Sequence, residues 1–176
     1  MLQISVGEEL YYEYTEPIST SNTFVFVNAL TGNTGMWSGQ ICKHLQSAGY
    51  GTLCYNFRGQ QDTVFRDETD LTPSLIVKDL CFLLSKTKPP SPILVGLSIG
   101  GLFAAQAYLA GSNACGLVLI NTLRKPSQRL DWINRSMVRL AQIGGGRLVM
   151  TANMPVIATP EFLSQMWDST FSDAPF

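Results

Sequence analysis

Residues 91–110 read SPILVGLSIGGLFAAQAYLA: an apolar run, a serine between glycines, then small and apolar residues over the length of a short helix. The run at 93–96 suits a buried strand, and Gly100 to Leu109 suits a helix. Gly96-Leu97-Ser98-Ile99-Gly100 is a GxSxG sequence in the strand–turn–helix setting that such a motif requires. A tight turn from strand to helix strains the serine backbone, so the residues two places before and after it must be small. Gly96 and Gly100 meet that demand, and Gly101 lets the helix begin close to the sheet. The first turn of a helix also leaves N–H groups free at the point where negative charge would develop. The competing reading is a glycine-rich turn with a capping serine. Strand, elbow and helix in register favour Ser98 as a candidate nucleophile.

Working outward, LQISV and LYYEYT flank Gly7-Glu8 and predict an antiparallel hairpin. TFVFVNAL (23–30) and GTLCYNF (51–57) predict buried strands, with a helix between them carrying Trp37, Ile41, Leu45 and Ala48 on one stripe and stopping at Gly49. Thr72 and Pro73 mark a helix start, and Leu75, Ile76, Leu80, Leu83 and Leu84 give that helix an apolar face. CGLVLIN (115–121) predicts a further strand buried on both faces. Alternating strands and helices define an α/β chain: a mostly parallel sheet with helices on both faces and an N-terminal hairpin. After Asn121 the composition changes. Leu130, Ile133, Met137 and Leu140 keep near-helical register, so 1–121 reads as the core and 122–176 as helices lying over it.

The bulk numbers narrow the function. With 176 residues, 45% hydrophobic and 14% charged, the length suits one domain with a real core. A net charge of −1 gives no reason to expect nucleic acid or an anionic membrane as partner. MLQISVGEELYYEY (1–14) has no basic stretch followed by an apolar one and is not expected to be a signal peptide, and no apolar run reaches the roughly 20 residues that span a bilayer. Cys42, Cys54, Cys81 and Cys115 are scattered through apolar segments, which predicts reduced, buried thiols in a cytoplasmic protein. With one histidine and no CxxC spacing no metal centre is expected, and without G-x-G-x-x-G no nucleotide cofactor.

The serine segment, the NALTGNTGMW loop (28–37) after the first buried strand, and the YNFRG stretch (55–59) together resemble the α/β-hydrolase superfamily. The resemblance runs from the hairpin to the start of a helical cap, and the remaining strands of that fold are expected beyond Phe176. It implies that the backbone N–H of Leu30 and that of Ile99 form an oxyanion hole beside Ser98. Asn28 stands where that family commonly has histidine, and Asn56 where it commonly has aspartate. Arg58 in this loop is expected to be structural, anchoring backbone carbonyls. NALTG is also similar to the corresponding loop of homoserine O-acetyltransferases, which makes acyl transfer an alternative.

A serine hydroxyl needs a base, and the sole imidazole is His44. Helical counting puts it on the Trp37–Ala48 stripe, about two turns or roughly 10 Å from the helix end near the catalytic loop. It is expected to be a packed, hydrogen-bonded histidine rather than the base. The resemblance places acid and histidine after the nucleophile, in sequence beyond Phe176. Asp131, Asp168 and Asp173 are assigned no role. The leading expectation is thus a serine hydrolase acting on a small ester, thioester or amide, with Met, Trp and Phe of 122–176 lining an acyl pocket. The alternative is a catalytically incomplete module that self-associates or is completed through the open sheet edge at 115–121.

Overall fold

The structure is a computed structural model and describes residues 1–123, 125 and 127–171. They divide into two compact units, Met1–Arg124 and Lys125–Phe176. In the first unit, β1 (Leu2–Ser5) and β2 (Glu8–Thr15) form the hairpin. β3 (Thr23–Val27) is followed by α1 (Gly35–Ser38), α2 (Gln40–Ser47), β4 (Gly51–Asn56) and α3 (Pro73–Thr87). β5 (Pro92–Leu97), α4 (Ile99–Leu109) and β6 (Gly116–Ile120) complete it. The six strands lie in the order β1-β2-β4-β3-β5-β6. β4, β3, β5 and β6 run parallel, and β2 joins β4 antiparallel.

Strand alternation divides the core. Val25, Val27, Leu53, Tyr55 and Leu94 face α3 and α4, meeting Leu80, Leu83, Phe103, Ala104 and Ala107. The intervening residues Phe26, Cys54 and Val95 face the other way, onto Trp37 and Cys42. Ala104 and Ala107 are fully buried, and their small side chains let α4 lie close on the sheet. Thr72 caps α3 as expected, its hydroxyl accepting the Leu75 N–H at 3.2 Å, with Pro73 opening the helix.

Four expectations are corrected. The strand predicted over 23–30 ends at Val27, because Asn28 turns its carboxamide into a buried network. The helix predicted from Trp37 to Ala48 breaks at Gly39 (φ −70°, ψ −105°) into α1 and α2. β6 is not covered on both faces: Val118, Leu119 and Ile120 remain 42%, 48% and 40% exposed, and among the described residues it pairs only with β5. The cysteines also differ from the expectation of four buried thiols, since Cys115 is exposed and Cys81 half-buried, although all four are free.

The second unit is helical. α5 (Gln128–Ile157) opens on Ser127, whose hydroxyl accepts the Leu130 N–H, and departs from helical geometry at Gly144 and Gly145. α6 (Pro160–Thr170) is capped by Thr159. Leu130, Ile133, Met137 and Leu140 are half-buried while Trp132 and Val138 are exposed, so the amphipathic register is present. A cleft of about 350 Å³ between α5 and α6 is lined by Met150, Met154, Leu163, Met166, Trp167 and Phe171. No helix of the described residues is long and apolar enough to cross a membrane. Asp173 lies outside the described residues.

Candidate active site

Ser98 stands between the last residue of β5 and the first of α4, where a parallel sheet presents its ligand-binding end. Its backbone has φ 55° and ψ −122°, a conformation that only glycine adopts without cost. Its N–H donates to the Ile120 carbonyl at 2.9 Å, tying the elbow to the end of β6. The side chain makes no capping bond to α4, and its Oγ has no partner among the described residues. That removes the main argument for a capping serine.

The flanking glycines are required by close backbone approach. A Cβ on Gly96 would meet Gly101 Cα, and the Gly100 carbonyl oxygen and Gly101 nitrogen at 2.6 Å each. A Cβ on Gly100 would overlap the carbonyl oxygens of Val27 and Asn28 and lie 2.8 Å from the Val27 carbonyl carbon. The first turn of α4 is thus pressed against the exit of β3, which brings Ser98 and Ile99 beside the loop that carries Leu30. Leu30 is 65% exposed. Neither its N–H nor that of Ile99 donates to an acceptor among the described residues.

A buried carboxamide network lies beneath that loop. Asn28 is fully buried; the two N–H groups of its Nδ2 are shared among the Tyr55 carbonyl (2.9 Å), Asn56 Oδ1 (3.1 Å) and Gln60 Oε1 (2.9 Å), and its own oxygen accepts the Trp37 indole N–H at 2.7 Å. Asn56 Oδ1 also accepts the Thr34 N–H at 2.8 Å, and its Nδ2 donates to the Gln61 carbonyl at 2.7 Å. The two positions that depart from the resembled pattern, Asn28 and Asn56, therefore touch each other. Trp37 is held over Phe26 with ring centroids 4.7 Å apart.

His44 is not packed. It is exposed in the last turn of α2, near the end that feeds β4, whereas Ser98 lies at the opposite end of the parallel strands. The stripe failed because Gly39 resets the helical phase: Cys42 takes the inward position and Ile41 is 45% exposed. Arg58 is structural, but its partners are carboxylates and not carbonyls: Glu8 Oε2 at 2.7 Å and Asp79 Oδ2 at 2.6 Å. Sequence reasoning missed Gln60, Glu8 and Asp79. A buried charge or amide on an otherwise apolar helix face, as Asp79 on α3, was the available signal. Among the described residues no three His, Cys, Asp or Glu side chains could hold a metal ion.

The elbow geometry carries a stability test. Ser98→Gly should stabilise the chain by about 1 kcal/mol, since relief of the strained φ outweighs the greater entropy of glycine in the unfolded chain. Ser98→Ala, which keeps the strain, should leave it within about 0.5 kcal/mol. Urea denaturation of the three proteins checks this. A destabilised Ser98→Gly would mean that the serine side chain supports the fold.

The alpha/beta hydrolase fold profile matches residues 22–144 of this chain. Among solved structures, an alpha/beta hydrolase enzyme from a Medee basin deep-sea metagenome library is 23% identical with a TM-score of 0.77, covering 92% of this chain and 58% of its own. The enol-lactonase from Burkholderia xenovorans is 22% identical with a TM-score of 0.74, over 93% of this chain and 62% of its own. An esterase from Exiguobacterium antarcticum is 17% identical with a TM-score of 0.73, over 96% of this chain and 65% of its own. The chain thus spans less than two thirds of the length of each of these structures. No curated protein sequence matches it. With the profile covering well over half of its residues, and with a parallel sheet that delivers a strained serine into a helix start, the chain belongs to the α/β-hydrolase fold family.

Proposed function

We propose that Ser98 is the nucleophile of a serine hydrolase acting on a small ester, thioester or amide. The observation that carries this reading is a non-glycine residue at φ 55° between glycines that a Cβ would drive into backbone. A fold gains nothing from such a residue, whereas a nucleophile gains an Oγ held at a helix start, and Ser98 is half-buried there with no competing partner for that oxygen among the described residues. In the proposed reaction Ser98 Oγ attacks the acyl carbonyl while its proton passes to a base. The Leu30 and Ile99 N–H groups hold the oxyanion, the leaving group departs protonated, and water releases the acyl group. His44, exposed at the far end of the strands, does not suit the role of base. Histidine and acid are assigned to polypeptide outside residues 1–176. The helical unit is assigned to a cap, and its own Met- and Trp-lined cleft suits an apolar group. Cys42 and Cys54 are free thiols joined by a hydrogen bond, with Sγ atoms 3.4 Å apart.

A fluorophosphonate tests the nucleophile in a single event. Ser98 Oγ bonds to phosphorus, fluoride leaves, the proton goes to solvent, and the intact mass rises by one phosphonyl group. Without an imidazole beside Ser98, turnover of an ester should fall on the order of 10⁶-fold below that of a complete triad. Slow stoichiometric labelling is nonetheless expected, and Ser98→Ala should abolish it. A folded wild-type protein that stays unlabelled would overturn the reading. That outcome favours the second one, which rests on the exposed Val118, Leu119 and Ile120: a module whose β6 edge pairs with another strand, including one from a second copy. Unlabelled protein given an acyl-CoA with several alcohol acceptors, against water alone, separates hydrolysis from acyl transfer.

A further inference from the structure

We propose that Gln60 is the positioning residue of the oxyanion loop, a role that rests on the reading of Ser98 as nucleophile. Gln60 is buried, and its carboxamide is saturated. Nε2 donates to the carbonyls of Ala29 (2.8 Å) and Leu30 (3.3 Å). Oε1 accepts from Asn28 Nδ2 (2.9 Å) and from the Phe57 N–H (3.2 Å). Two donors and two acceptor sites are all a carboxamide has. The orientation is fixed as well, because a flipped amide would set its oxygen against two carbonyls and its NH₂ against two donors.

The consequence for Leu30 follows from the planarity of the peptide. The Ala29 carbonyl and the Leu30 N–H belong to one trans unit and point in opposite directions. Holding the carbonyl therefore aims the N–H. Gln60 grips that carbonyl from one side, and the Gly32 N–H takes the same oxygen at 3.0 Å. The Leu30 carbonyl is held too, so the peptide planes on both sides of Leu30 Cα are fixed by one side chain. Asn28, whose amide hydrogens are shared among three buried acceptors and whose oxygen accepts the Trp37 indole N–H, anchors that side chain in turn.

Every member of this network is neutral. The charged groups bordering it are Arg58, engaged by Glu8 and Asp79; Glu13, which accepts the Thr34 hydroxyl at 2.7 Å; and Asp62, beside Gln61 in the chain. Nothing in the grip itself titrates, so a carboxyl at position 60 would introduce a pH dependence that the wild type lacks. Gln60→Glu keeps the shape but sets a carboxylate against two carbonyl oxygens. Protonated, the acid regains one donor.

The experiment compares wild type, Gln60→Leu and Gln60→Glu in two measurements. The first ignores chemistry: amide exchange at Gly32 and backbone order at Leu30 by NMR. In Gln60→Leu, Gly32 exchange should rise about tenfold and Leu30 should loosen. The second is the rate of fluorophosphonate labelling of Ser98. It should fall about tenfold to a hundredfold in Gln60→Leu at every pH, as expected for a misplaced oxyanion donor. In Gln60→Glu it should fall at pH 8 and recover, relative to wild type, at pH 5. An unchanged loop in Gln60→Leu overturns the proposal, as does a loosened loop with wild-type labelling. A Gln60→Glu protein that is folded and shows no recovery at pH 5 also counts against it. If wild type itself is unlabelled, the Ser98 reading fails and takes the oxyanion role with it. The NMR measurement then shows whether Gln60 holds the loop for another reason.

Discussion

Arg58→Ala is expected to cost the fold about 3–5 kcal/mol, a large share of the roughly 5–15 kcal/mol that a domain commands. Arg58 is 6% exposed and bridges three segments distant in sequence. Nη1 lies 2.7 Å from Glu8 Oε2 at the start of β2. Nε and Nη2 lie 2.6 and 3.2 Å from the two oxygens of Asp79 on α3, a bidentate pair. Removing the guanidinium leaves two buried carboxylates with only the long pair from the exposed Arg66 to Glu8, at 3.8 Å, to offset them. The cost comes from that uncompensated charge and not from any large net worth of the intact network. The triple variant Glu8→Leu, Arg58→Met, Asp79→Leu should therefore lie far closer to wild type than Arg58→Ala alone. Urea denaturation of all three proteins checks both statements. A loss under about 1 kcal/mol in Arg58→Ala would mean that water reaches the carboxylates and screens them.

The same network sets a pH dependence. The Ser5 hydroxyl, then the Thr69 hydroxyl and then Arg58 hold the Glu8 carboxyl far below the ordinary glutamate range. Its folded value is thus depressed relative to the unfolded chain, which binds the proton more readily. The stability it contributes is full above the unfolded value of about 4.3 and drains as pH falls below that. In Glu8→Gln the slope of stability against pH below 4.3 should lose one proton's worth, although the variant starts from lower stability. Equal slopes in the two proteins would show that Glu8 is not held in its charged form.

What the sequence disclosed about this fold was local in origin. The elbow is legible because its steric demands fall on residues two places either side of Ser98, and a strand or helix declares itself within a dozen residues. His44 was misplaced because helical phase was carried through Gly39, where the chain changes direction. Two-sided burial of β6 was over-read because it depends on which elements lie beside a strand and not on the apolar residues within it. The partners of Arg58 lie 50 residues before it and 21 after it in the chain, at Glu8 and Asp79, and no spacing rule connects such positions. Gln60 is hidden for the same reason, since its partners in the 28–30 loop are about 30 residues away. Asn28 and Asn56 could be seen individually as departures from a pattern. Their mutual contact, which makes one amide network of them, needed the fold.

Gly100→Ala should be the most damaging single-methyl change at the elbow, with a loss of about 3 kcal/mol or more and loss of Ser98 labelling. The added Cβ would lie 2.8 Å from the Val27 carbonyl carbon and overlap the oxygens of Val27 and Asn28. None of these atoms can retreat. Val27 is paired with Tyr55 on one side and Gly96 on the other, and Asn28 is fixed by its buried carboxamide. The start of α4 must move instead, carrying Ser98 and Ile99 away from the 28–30 loop. Gly146→Ala is the control, because a Cβ there meets nothing within 4 Å and the residue lies inside α5. It should stabilise by up to about 1 kcal/mol through helix propensity, so the same substitution has opposite signs at the two sites. Thermal and urea unfolding measure the stability, and intact mass after fluorophosphonate treatment measures the labelling. A Gly100→Ala protein with wild-type stability would mean that α4 does not press on the exit of β3. The comparison also bears on why Ser98 is there. The elbow forbids a side chain at Gly96 and Gly100 and strains the residue between them, so glycine at position 98 would serve the fold better. A serine held in that conformation has its warrant in what its hydroxyl can do.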